Sequence, residues 1–150
     1  MQCTVQWAGT ASNPTQSDAS SGMRFDVLTG SGHTLSMDGA PEGGGNNLAA
    51  RPMELVLAGT GGCTAYDVVL ILKRGRQQVT GCEVALSAQR AEVDPKVFTH
   101  IHMQFTVTGK NLNPAVVERA VALSQEKYCS ASIMLAHSVH ITYATTVLET

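Results

Sequence analysis

The chain has 150 residues, 43% of them hydrophobic and 15% charged, with a net charge of −2. That length fits a single domain over residues 1–150 with a sizeable core, and the apolar fraction excludes global disorder. The balanced charge lacks the basic footprint of a nucleic-acid binder, so no nucleic-acid partner is expected.

In chain order, Met1 to Ala8 alternates, with Cys3, Val5 and Trp7 on one side, and reads as a strand. Residues 9–21 are turn formers and read as a loop. Met23 to Leu28 and His33 to Met37 read as two short strands joined by the glycine-containing turn Thr29-Gly30-Ser31-Gly32. Residues 38–51 form a second loop, whose triple glycine predicts mobility rather than one fixed conformation. Pro52 then opens the strongest helix signal, since its missing N–H costs nothing at the first helical position. From Met53 to Leu72 the residues are apolar on nearly all sides, which predicts a buried helix. Lys73, Arg74, Gly75 and Arg76 end it, the cations complementing the helix dipole and the glycine stopping the turn. Gly59-Thr60-Gly61-Gly62 is its weak point; such a run persists where something approaches the backbone closely or the helix bends.

Val79 to Glu92 and Val97 to Thr108 alternate and read as an antiparallel hairpin. Asn113-Pro114 caps and opens a second helix, with Val116, Val117, Ala120, Val121 and Leu123 on one face, running to about Tyr128. Cys129 to Ala136 reads as a short helical turn and Ser138 to Leu148 as a closing strand. The order is α+β by segregation. The stretch Leu55 to Leu72 carries Asp67, two threonines and glycines, too polar for a comfortable membrane span, and no membrane partner is expected. No secretory signal is visible and the chain has four cysteines, which points to a reducing, cytoplasmic setting.

Cysteine is the residue type with chemistry to offer. Cys63 follows the glycine run inside the long helix, flanked by Thr60 and Thr64. Cys129 follows the second helix, where Lys127 and a following helical turn favour a thiolate. Each is also readable as a small buried residue, the commonest place for a free cysteine. Their separation of 66 residues excludes any Cys-x-x-Cys logic and cannot by itself place the sulfurs together. Cys3 and Cys82 lie among alternating apolar residues and read as core or sheet-face residues. A site from Cys129 with His100, His102, His137 and His140 matches no zinc-finger or HExxH spacing, so no metal is expected. Neither glycine-rich stretch has the helix that a phosphate-binding loop needs, no GxSxG elbow is present, and no cofactor is expected.

The stretch RPMELVLAGTGGCTAYDVVLILKRGRQ (51–77), followed by EKYCSASIML (126–135), resembles the OsmC/Ohr family, and within it the YhfA-like branch of predicted redox proteins. The resemblance covers nearly the whole chain. It implies an OsmC-type α+β fold with a long buried central helix, antiparallel strands and an intertwined homodimer. It also implies a thiol-dependent peroxidase that reduces organic hydroperoxides. Cys63 would attack the peroxide, Cys129 would resolve the sulfenic acid to a disulfide, and a thiol reductant would close the cycle. The family polarises its thiolate with a glutamate and an arginine, for which Glu54 and Arg51 are the candidates, with Arg24 the alternative arginine. Glu54 stands one position later than in the peroxidase branches. Its nine-residue offset from Cys63 puts it about 180° around a straight helix, so a structural role at the helix start competes with catalysis. The competing function is a non-peroxidase protein of this fold that binds an apolar ligand or senses oxidation.

Overall fold

The computed structural model describes residues 1–8 and 22–150, which form two compact units, Met1–Val56 and Leu57–Thr150. The loop expected over 9–21 lies outside the described residues. In the first unit, strands β1 (Cys3–Trp7), β2 (Phe25–Thr29) and β3 (Thr34–Met37) form an antiparallel sheet in that order. Val5 pairs with Val27 and Val27 with Leu35, so one face carries the alternating apolar residues. Every residue of β1 is exposed, Cys3 included, so Cys3 occupies a sheet face but not a core.

The loop after β3 is a correction to the sequence reading. It holds a defined conformation over the short 3-10 turn Pro41–Gly43 because Asp38 organises it. The buried Asp38 carboxylate accepts the backbone N–H groups of Gly39 (2.7 Å), Asn46 (3.1 Å) and Leu48 (3.0 Å). Those donors, led by Leu48, hold its carboxyl below the ordinary aspartate value. The glycines serve this packing, since a Cβ on Gly45 would collide with the Gly39 carbonyl.

The long helix α1 spans Pro52–Arg74, as its proline and terminal cations predict. It starts with half of a capping box: the Glu54 carboxylate accepts the Arg51 backbone N–H at 2.9 Å. In the second unit, β4 (Gln78–Arg90) pairs antiparallel with β5 (Phe98–Lys110), as the alternation predicts. The last strand, β6 (His140–Glu149), pairs with β5 in parallel, so the expectation of antiparallel strands holds for only part of this sheet. The reason is the connection. Helix α2 (Pro114–Leu123), a π-helical stretch (Ser124–Tyr128) and helix α3 (Ser130–Leu135) carry the chain back before β6 begins. The helix expected to reach Tyr128 thus changes its winding after Leu123. Asn113 caps α2 as expected, accepting the Ala115 N–H at 3.0 Å.

The centre of the second unit is β5. Ile101, Met103, Phe105 and Val107 are all buried on one face, with Val117, Ala120 and Val121 of α2 and Val68 and Leu72 of α1 also buried. Within α1 itself the buried residues are Thr60, Gly61, Thr64, Val68 and Leu72. They recur at about one helical turn and make a single stripe, not the all-round burial the sequence predicts. One chain covers one side of the helix, and Tyr66, for example, is left 68% exposed. By length and composition alone α1 is apolar enough to cross a membrane. Its buried stripe is that of a helix lying against protein. Gly61 marks a close approach, because a Cβ there would lie 2.6 Å from Leu86 Cδ1 on β4.

Candidate functional site

Cys63 projects from α1 beside the buried stripe and is half-buried, while Cys129 sits fully buried at the junction between the π-helical stretch and α3. Packing of α1 on the π-helical stretch brings the two together. The Sγ atoms of Cys63 and Cys129 and a carboxylate oxygen of Asp67 all lie within 4.8 Å of one another. Residues 66 apart in sequence become neighbours through this single contact between elements.

The contact is polar and directed. Gln125 Nε2 donates to Thr64 Oγ1 at 2.6 Å, so the Thr64 oxygen is an acceptor there. Thr64 can then donate to Ser124 Oγ at 2.8 Å, and Ser124 in turn to Asp67 Oδ2 at 3.3 Å. Thr64 and Ser124 are both fully buried, so the chain of hydroxyls satisfies groups that would otherwise destabilise the interior. The Ser124 carbonyl also accepts the Cys129 N–H at 2.8 Å. One residue therefore fixes both the Asp67 carboxylate and the backbone that carries Cys129. Ser124 and Gln125 open the π-helical stretch, a kind of winding frequent at functional sites.

Ser132, three residues after Cys129, aims its hydroxyl (3.2 Å) and its N–H (3.4 Å) at Cys129 Sγ. Burial pushes the Cys129 thiol above its ordinary value, the two Ser132 donors pull it back, and the adjacent Cys63 pushes it up again. The net direction is upward, which corrects the expectation of a favoured thiolate at Cys129. Lys127 was the cation behind that expectation, and its ammonium lies over the Tyr128 ring, 5.4 Å from the centroid. Burial also raises the Cys82 thiol on β4.

The other sequence candidates lie as follows. Glu54 and Arg51 fall in the first unit, joined by the helix-start hydrogen bond. Arg24, also in the first unit, pairs with Asp26 at 3.1 Å, and Ser36 donates to the same carboxylate oxygen at 2.6 Å. No histidine belongs to the cluster of Cys63, Asp67 and Cys129 among the described residues. His100 and His140 meet edge to face across β5 and β6 with ring centroids 5.6 Å apart, and His102 Nδ1 meets Thr142 Oγ1 at 2.8 Å. Thr64 is the hydroxyl that the sequence places beside Cys63, whereas the sequence gives Asp67, Ser124, Gln125 and Ser132 no site role. For Asp67 a signal existed, since it follows Cys63 by four residues and so shares its helical face. For Ser124 and Gln125 no local signal pointed at α1.

Comparison with known proteins bears on the family and the fold. The family model described as OsmC-like protein matches residues 43–144. Protein YhfA of Escherichia coli (strain K12) is 44% identical over 144 residues, covering 96% of both chains. The crystal structure of a hypothetical protein from Aquifex aeolicus VF5 is 30% identical, with a TM-score of 0.74 over 85% of this chain and 89% of that one. The organic hydroperoxide resistance protein OhrB of Bacillus subtilis shares the fold at 17% identity, with a TM-score of 0.59 over 97% of this chain and 96% of that one. The two cysteine motifs, the order of elements and these matches lead to one conclusion: the chain belongs to the family of OsmC-like proteins.

Proposed function

We propose that the chain is a thiol-dependent peroxidase acting on organic hydroperoxides, with Cys63 as the attacking residue and Cys129 as the resolving one. The observation that carries this reading is the approach of the two sulfurs to within 4.8 Å. A disulfide needs the sulfurs at about 2.05 Å, so the pair closes from this separation by side-chain rotation together with local backbone movement. The roles follow from exposure. Cys63 is half-buried and open to a substrate, whereas Cys129 is fully buried and its thiol is raised. A Cys63 thiolate attacks the O–O bond, the S–O bond forms, and the alkoxide leaves to take up a proton as alcohol. Cys129 then attacks the sulfenic sulfur, its own proton and the sulfenic hydroxyl leave as water, and a thiol reductant restores both thiols. The carboxylate beside this pair is Asp67. That a protein of the same fold is an organic hydroperoxide resistance protein supports the substrate class.

The raised Cys129 thiol favours a second reading, oxidation sensing without efficient turnover. Thiol titration before and after one equivalent of cumene hydroperoxide separates the two. The peroxidase reading expects two of the four thiols to disappear rapidly into a Cys63–Cys129 disulfide on peptide mapping, leaving Cys3 and Cys82 reduced. A reaction no faster than that of free cysteine sinks it and leaves the sensing or ligand-binding reading.

The functional form in this proposal is a homodimer. Its support is the apolar α1, of which one chain covers a single stripe, leaving an apolar flank of the kind that marks an interface. Sedimentation is expected to give twice the chain mass of 15.8 kDa. A monomer at micromolar concentration would refute this part of the proposal.

A further inference from the structure

We infer that the reduced protein binds one zinc ion through Cys63 Sγ, Cys129 Sγ and a carboxylate oxygen of Asp67, with the fourth position of the metal left open. Among the described residues these are the three ligand-type side chains whose donor atoms converge, all within 4.8 Å of one another. A tetrahedral zinc with bonds of about 2.3 Å to sulfur and about 2.1 Å to oxygen needs ligand atoms roughly 3.5–3.8 Å apart. The cluster, with its donor atoms within 4.8 Å of one another, is up to about 1 Å wider than that spacing, and the ion would draw the three side chains in. The donor set is also right. Two soft thiolates with one carboxylate suit zinc, whereas magnesium or calcium demands oxygen ligands throughout.

The surroundings support the ligands as a metal site requires. Ser132 offers its N–H and its hydroxyl to Cys129 Sγ, stabilising negative charge on that sulfur. Ser124 donates to Asp67 Oδ2, which orients the carboxylate. The Ser124 donor is itself held by Thr64, and Thr64 by Gln125. Outer partners of this kind commonly change metal affinity by about 10–100-fold when removed. The inference uses the thiol pair of the proposed peroxide chemistry but stands on ligand geometry alone. Zinc and disulfide exclude each other here, because the disulfide leaves no thiolate to ligate.

The test is zinc titration of the fully reduced protein against a chromophoric chelator, with cobalt as a spectroscopic substitute. One equivalent per chain is expected, with tetrahedral cobalt bands and a sulfur-to-cobalt charge-transfer band of two-thiolate strength. Cys63→Ser and Cys129→Ser should abolish that stoichiometric binding, and Asp67→Asn should weaken it at least about tenfold, in line with the loss of a ligand. Cys82→Ser and His100→Ala should leave it unchanged. Binding undiminished by the cysteine variants or by Asp67→Asn overturns the site, as does the lack of any competition with the chelator. If a variant fails to fold, the cobalt spectrum of the unmodified protein decides: no thiolate charge-transfer band means no site. Zinc binding in a protein inert to hydroperoxide would leave this site standing and remove the peroxidase reading. Peroxide reactivity without zinc binding would do the reverse.

Discussion

Cys63→Ser is expected to reduce hydroperoxide consumption to the uncatalysed rate, whereas Cys129→Ser should keep the first turnover and lose all later ones. The asymmetry follows from the proposed roles. Serine keeps the shape of the side chain, but its hydroxyl does not ionise near neutral pH and is a poor attacker of an O–O bond. Without Cys63 the remaining thiol of the pair is the fully buried Cys129, pushed further from its thiolate form by desolvation. Without Cys129 the attack still occurs, but the sulfenic acid on Cys63 has lost the thiol that lies beside it and should accumulate. Trapping that sulfenic acid with a dimedone-type reagent, followed by intact mass measurement, checks the second half. One trapped group per chain in Cys129→Ser, and none in Cys63→Ser, is the expected pattern. Oxidation centred on Cys129 in the Cys63→Ser protein would reverse the assignment.

The largest stability effect is expected at Phe105. It lies at the middle of the central strand β5, opposite Val84 on β4 and Thr145 on β6, and is fully buried. Truncation to alanine removes the buried ring and leaves a cavity that flanking strands paired on both sides cannot readily close. Phe105→Ala should therefore lose about 3–5 kcal/mol. That is a large share of the total stability of a domain, typically about 5–15 kcal/mol. Denaturant unfolding followed by far-ultraviolet circular dichroism, at one fixed protein concentration, measures it. An unchanged m-value with a lowered midpoint is the signature of lost stability alone. A loss under about 1 kcal/mol would mean that β5 is not the centre of the core.

Much of the fold is written locally. The period-two alternation on either side of Asp94-Pro95 specifies the β4–β5 hairpin, and Pro52 and Asn113-Pro114 specify the starts of α1 and α2. These signals work because propensity, capping and side-chain period act between residues close in sequence. Both cysteines of the candidate site were also visible as residues, each in a recognisable motif, and Glu54 was legible as a helix-start acid, the role its bond to the Arg51 N–H displays.

What tertiary structure alone decided depends on contacts between elements. The direction of β6 against β5 is absent from its alternation, which is the same for parallel and antiparallel ladders; the helical return path between the two strands sets it. The order of the loop after β3 comes from one carboxylate, Asp38, reaching backbone groups as far as Leu48. The apolar circumference of α1 reads as full burial, yet one chain supplies only enough surface to bury one stripe. The cluster of Cys63, Asp67 and Cys129 is the plainest case. Asp67 shares a helix face with Cys63 and could be placed by counting, but Cys129, Ser124 and Gln125 arrive from 57 or more residues further along the chain. Hydroxyl contacts between α1 and the π-helical stretch bring them there, and no periodicity along the chain encodes such a contact.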